Sequence, residues 1–176
     1  MGVRDSLDPK AGNITIEIAK LDAAKPGVSW LAYLGPGWGT ADIDSAVLNL
    51  APGQGRHQTY TVFWNRPLAG DDRHIPADFG FPAPGRYSVR ARYIRPTPPD
   101  VISSPVVVEV QAPAGADAAV WAALQAAPQL AMMIQRPVSR GSADKVAALQ
   151  KLVDTYPTAA AAPYIRAAID RARLQQ

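Results

Sequence analysis

Hydrophobic positions alternate with polar ones over roughly the first two thirds of the chain and recur at helical spacing in the last third. Ile14, Ile16 and Ile18 alternate with Thr15, Glu17 and Ala19, the period-two pattern of a half-buried strand. Residues 28–34 form a second apolar run, opened by Lys25-Pro26-Gly27 and closed by Gly35-Pro36-Gly37. Ala46, Leu48 and Leu50 alternate with Val47 and Asn49 until Ala51-Pro52-Gly53 breaks the run. Residues 58–64 are β-branched and aromatic, with Tyr60, Val62 and Trp64 on one face. Residues 86–94 follow a Pro84-Gly85 turn and set Tyr87, Val89, Ala91 and Tyr93 together, and Val106, Val108 and Val110 close the series. Short strands each bounded by turn residues predict an antiparallel β-sandwich. A parallel sheet would need crossover helices, and no helical period separates these runs.

After residue 111 the period changes. Asp117 is placed to cap a helix reaching about Ala127, with Val120, Trp121 and Leu124 as its apolar stripe. Pro128 ends it, and residues 129–135 add a short apolar turn of helix. Ser142 caps the next, along which Val146, Leu149, Leu152 and Val153 keep the helical period until Tyr156-Pro157. Thr158 caps a last helix to about Leu174, with Tyr164, Ala168 and Ile169 inward and Pro163 near its first turn.

Composition sharpens the boundary. Residues 1–111 hold 12 alanines and residues 112–176 hold 20, as a change from strand to helix requires. Residues 1–111 carry 11 basic and 11 acidic side chains, whereas 112–176 carry 7 and 4, so the whole net charge of +3 lies in the tail. That surplus is too slight to imply nucleic acid. The chain has no cysteine, which removes disulfides, thiolate zinc sites and thiol nucleophiles. No apolar run approaches the roughly 20 residues that span a bilayer. The expected organisation is a disordered or cloning-derived stretch at 1–12, a sandwich at 13–111, and a helical subdomain at 116–176.

The segment 84–93, Pro-Gly-Arg-Tyr-Ser-Val-Arg-Ala-Arg-Tyr, followed by Ser103-Ser104-Pro105-Val106-Val107-Val108-Glu109-Val110, resembles the last two strands of immunoglobulin-like or fibronectin-type-III-like domains. Leu50-Ala51-Pro52-Gly53 is also similar to turns of bacterial secreted sandwiches. The resemblance covers roughly residues 13–111 and implies that Tyr87 is a tyrosine-corner residue, its hydroxyl on a backbone group and its ring in the core. The cysteine pair of antibody-type domains is absent. Leu152-Val153-Asp154-Thr155-Tyr156-Pro157-Thr158 before an alanine-rich helix is similar to the helix pair of tetratricopeptide-like repeats. One pair is not a solenoid, so it is expected to dock on the sandwich or on something outside the chain.

Candidate chemistry is sparse. His57 and His74 are the only imidazoles and belong to no metal-binding spacing. Gly35-Pro36-Gly37-Trp38-Gly39 does not follow the phosphate-loop pattern, and no Gly-x-Ser-x-Gly elbow exists. Asp71, Asp72 and His74, with Asp78 a few residues on, form the densest acidic loop and are the metal candidates, for calcium if any ion binds. Asp42-x-Asp44 starts like a calcium loop but lacks its glycine and glutamate. Arg86, Arg90 and Arg92 share a strand face with Arg95 just beyond, able to grip carboxylates or phosphates, or simply to keep that face in water. Trp38, among three glycines, is the candidate contact aromatic, whereas Trp30, Trp64, Tyr33 and Tyr60 are expected to pack in the core. Met1-Gly2-Val3-Arg4-Asp5-Ser6 formally matches a myristoylation pattern, yet 13 arginines against 5 lysines and abundant alanine look like a GC-rich bacterium, where that modification is not expected.

The sequence therefore predicts an α+β, mainly β, chain: an Ig-like sandwich followed by a small C-terminal helical bundle. The function expected is a noncatalytic binding or structural module of a bacterial periplasmic, envelope or secreted protein. It would meet a protein partner or the flanking domains of a longer chain, with no cofactor, no nucleic acid and no transmembrane segment. Trp38, Arg90 and Arg92 are the binding candidates. The alternatives are a carbohydrate or small-molecule binder using loop aromatics, and an enzyme accessory domain or hydrolase with a site in loop 65–83.

Overall fold

The computed structural model describes residues 2–4, 14–22, 27–33, 35, 47–49, 51–55, 61–65, 78–95, 98–135 and 143–174, with 2–4 and 47–49 described by their backbone. Among the described residues it is an α+β chain of antiparallel sheets and four helices. It divides into two compact units, Met1–Val110 and Gln111–Gln176.

In the first unit, β1 (Gly2–Arg4) pairs with β4 (Val47–Asn49) as a two-stranded sheet. The main sheet has five strands among the described residues. β2 (Ile14–Lys20) and β7 (Gly85–Tyr93) are its centre, paired from Ile14–Tyr93 to Lys20–Tyr87. β3 (Leu31–Tyr33) flanks β2, while β8 (Val101–Ile102) and β9 (Val106–Val110) follow one another along the far edge of β7. Arg92 faces Ile102 and Val89 faces Val106, so residues 103–105 oppose only residues 90 and 91, a one-residue bulge. Ser103 bridges it, its N–H donating to the Ala91 carbonyl and its Oγ accepting from the Ala91 N–H. Pro105, which has no N–H to give a ladder, sits at the interruption.

Ile18, Tyr33 and Tyr87 form the core of this unit, with Ile16, Val62, Phe81, Val89 and Val110 packed against them. The expected strand over 58–64 is shorter and shifted: residues 58–60 lie outside the described residues, 61–63 make no strand, and β5 is Trp64–Asn65. The cause is a side chain. The Tyr33 hydroxyl donates to the Thr61 carbonyl at 3.1 Å and accepts from the Phe63 N–H at 3.0 Å, taking backbone groups a neighbouring strand would have used. β5 pairs instead with β6 (Asp78–Phe79), which had no alternating pattern to reveal it. Between them the approach is close: a Cβ on Gly80 would meet Val62 Cγ1 at 2.5 Å.

The second unit contains α1 (Gly115–Ala126), α2 (Pro128–Gln135), α3 (Ala143–Thr155) and α4 (Ala162–Arg173). Val120, Leu124, Leu130, Met133, Leu149, Val153, Ile165 and Ile169 are buried, with Ala131, Ala159, Ala162, Ala168 and Ala172. Because α2 contacts α1, α3 and α4, the α3–α4 pair finds apolar surface on the helices before it. Three details differ from the sequence reading. The residue preceding α1 is Ala114, with no side-chain cap; Asp117 lies in the first turn, and its carboxylate accepts from the Ala160 N–H at 2.6 Å. Helix α4 starts after Ala161, three residues later than a Thr158 cap implies, because the 156–162 segment first closes two tight turns. Tyr164 points outward at 62% exposure and its neighbour Ile165 inward, in keeping with a phenol that finds water more readily than an aliphatic side chain does. Ser142 lies outside the described residues. No helix among the described residues is long and apolar enough to cross a membrane.

Candidate functional site

The arginine row of β7 is the sequence-predicted site that the structure describes best. Antiparallel register puts Glu17 opposite Arg90 and Thr15 opposite Arg92, on the sheet face away from Ile16 and Ile18. The Arg90 guanidinium donates through Nε to Glu17 Oε2 at 2.5 Å, and Trp30 lies over the same guanidinium at 4.1 Å from its ring centroid. Arg92 reaches Glu17 Oε1 at 3.6 Å and donates through Nε and an Nη to Asp100 Oδ2 at 2.8 and 2.7 Å. Asp100 Oδ1 accepts from the Arg95 N–H at 3.2 Å.

Trp30, Arg90, Glu17, Arg92 and Asp100 thus form a continuous ladder across the sheet. The hydrogen bonds from Arg92 and then from the Arg95 backbone hold the Asp100 carboxyl below the usual carboxylate range. The same bond to Asp100 raises the Arg92 guanidinium above its ordinary value. Thr15, Glu17 and Ser88 are buried on this face, so it is covered to a degree its polar composition does not suggest. Arg86 stands apart, exposed and across the ladder from Glu109.

Tyr87 is 2% exposed, its ring edge-on to Phe81, and its hydroxyl donates to the Ala83 carbonyl at 2.6 Å. Both the burial and the backbone bond are what the resemblance to tyrosine-corner domains implied for this residue.

Of the remaining candidates, Trp38, Asp71, Asp72 and His74 lie outside the described residues. Asp78 is described: it is exposed, and its Oδ1 accepts from the Phe79 N–H at 2.7 Å. Among the described residues no group of acids, histidines and cysteines is gathered as for a metal ion. A recess of about 120 Å³ lies beside Ile18, Tyr33, Phe79 and Tyr87, smaller than the usual small-molecule pocket of roughly 300–1,000 Å³. A groove of about 410 Å³ on α3 and α4 sets Arg166 and Arg173 against Asp154 and Asp170 over Val153 and Ile169, its charges balanced within it.

The feature that sequence reading passed over is the outer edge of the main sheet. Val106 is 63% and Val107 53% exposed, and Val101 and Ile102 are exposed beside them. The run Val106-Val107-Val108 carried the signal, because a strand apolar at consecutive positions has greasy side chains on both faces. No family model, curated protein or solved structure matches this chain.

Proposed function

We propose that the first unit is an Ig-like β-sandwich acting as a noncatalytic interaction module in a bacterial secreted or envelope protein, with the tetratricopeptide-like pair α3–α4 as a second contact surface. The fold reading is supported by the tyrosine on the central strand β7, whose hydroxyl bonds backbone four residues upstream, and by the order β2-β7-β9 around it, like the C-F-G sheet of such sandwiches.

One observation carries the functional reading. The charged groups able to hold an anion or a substrate, Glu17, Arg90, Arg92 and Asp100, are bonded to one another, while valines on the sheet edge face water. A surface that spends its charges internally and exposes apolar strand is suited to contact with another polypeptide. The full chain titrated with oligosaccharides should keep its tryptophan fluorescence, and chelator should leave its melting temperature unmoved. Saturable quenching by a sugar, or a chelator-induced drop, would replace this reading with a glycan-binding or calcium-dependent one.

A further inference from the structure

We propose that the peptide bond between Ala114 and Gly115 is a processing site: an endopeptidase that takes a small side chain before the cut hydrolyses it and leaves each unit's core intact. The C–N bond breaks and a C–O bond forms. One water is consumed, its oxygen ending in the new carboxylate of Ala114, while Gly115 leaves as the amine. The inference stands apart from the interaction-module reading and does not rest on it.

The first ground is the state of the backbone over residues 111–115. The ladder of β9 ends at Val110, opposite Gly85, and α1 begins at Gly115. Between them Gln111, Ala112 and Ala114 are exposed and Pro113 is half-buried. Ala114 is extended, at φ −129° and ψ 158°, the form in which a peptide is taken up strand-like by a protein cleft. Among the described residues the backbone of 111–113 makes no hydrogen bond that would have to be given up first. Val110 is the last residue packed against the first core, and Val120 is the first buried in the second unit. The cut therefore falls in neither core.

The second ground is a weakly held first turn. Ala114 precedes α1 with no side-chain cap, and alanine is among the poorest residues there. Gly115, at φ +54°, is a poor helix former. The Ala114 carbonyl accepts from the N–H groups of Asp117 at 3.1 Å and Ala118 at 3.4 Å, and these are the bonds that open for cleavage. Asp117, the acid of that turn, accepts through Oδ1 from the Ala160 N–H instead of serving its own helix start. Proteolysis of a folded chain follows the population of the locally opened form, and here opening takes little. The residue types select the bond. Ala112-Pro113-Ala114-Gly115 sets small residues on both sides of one peptide, whereas a cut after Ala112 would put the ring nitrogen of Pro113, which has no N–H, on the leaving side.

Elastase, whose specificity pocket admits small side chains, is the probe. In the full chain the first cut should fall between Ala114 and Gly115, read by mass spectrometry, and the ellipticity at 222 nm should hold through it. Ala114→Ser supplies a cap at an exposed position. It should slow that cut about fivefold relative to a peptide spanning 108–119 with the same change, which corrects for the protease's own preference. A first cut at any other bond, a loss of ellipticity on cutting, or an equal slowing of chain and peptide overturns the proposal. The sugar and chelator titrations are blind to all three outcomes, so the interaction-module reading stands or fails separately.

Discussion

The two units solve the same problem with different side chains. In the helical unit the buried residues are aliphatic, and five of them are alanines that let helix backbones approach: Ala131, Ala159, Ala162, Ala168 and Ala172. In the β unit the largest buried residues are Tyr33, Trp64, Phe79 and Tyr87, and all four buried polar residues of the described chain, Thr15, Glu17, Asn65 and Ser88, belong to it. Several of its side-chain hydrogen bonds involve these buried groups: the Tyr33 hydroxyl reaches Thr61 and Phe63, Asn65 Nδ2 donates to the Ala32 carbonyl, and Arg90 reaches Glu17. The helical unit buries apolar side chains and keeps its long-range hydrogen bonds, such as Asp117 to Ala160 and Arg171 to Ile134, outside that core, whereas in the β unit loss of a bond leaves buried polar groups behind.

That contrast predicts unequal responses. The largest belongs to packing: Leu149→Ala or Ile165→Ala, each emptying a buried aliphatic site, should cost about 2–5 kcal/mol, read from the denaturant midpoint at 222 nm. A shift under 1 kcal/mol would mean the helices are loosely packed and the contrast is false. Next comes the ladder. Glu17→Gln removes the charged partner of Arg90 and Arg92 and should cost about 1.5–3 kcal/mol, with a change in tryptophan emission because Trp30 stacks on Arg90.

Tyr87→Phe keeps the ring and removes only the bond to Ala83, so about 1 kcal/mol is expected. An unchanged melting curve would show the hydroxyl contributes nothing to the corner. The smallest effect is electrostatic. The folded pKa of Asp100 is depressed, so its contribution is complete above the unfolded value, near 4, and is lost as pH falls through the folded value. Asp100→Asn should therefore flatten that part of the acid limb of a stability–pH curve. Added salt should reduce the difference between the two proteins, since the pair is exposed to solvent.

Parts of this architecture were legible because they are local. The helical stripes of Val120 and Leu124, and of Leu149 and Val153, follow from periodicity, and all four residues are buried. The alternation in 14–18 and 86–94 marked β2 and β7. The arginine row was visible as three side chains on one face, but its partners were not: Glu17 is distant in sequence, and Asp100 lies past a turn that no period describes. The same limit explains residues 61–63, whose β-branched and aromatic composition reads as strand until the Tyr33 hydroxyl occupies their backbone. Tyr164 and Asp117 were misread for a related reason. At about 3.6 residues per turn, adjacent positions such as Tyr164 and Ile165 both border the apolar stripe, and packing and turns elsewhere in the chain set which one is buried and where a helix begins.

Sequence by itself determined the sites where chain direction and periodicity change, the residues able to be buried, and the tyrosine suited to bond its own backbone. Tertiary structure alone decided which charges neutralise one another and which valines face water. The physical reason is range. Helical period, strand alternation and turn chemistry act over a few residues, whereas the pairing of Glu17 with Arg90, and the exposure of Val106 and Val107, depend on the order in which strands lie side by side.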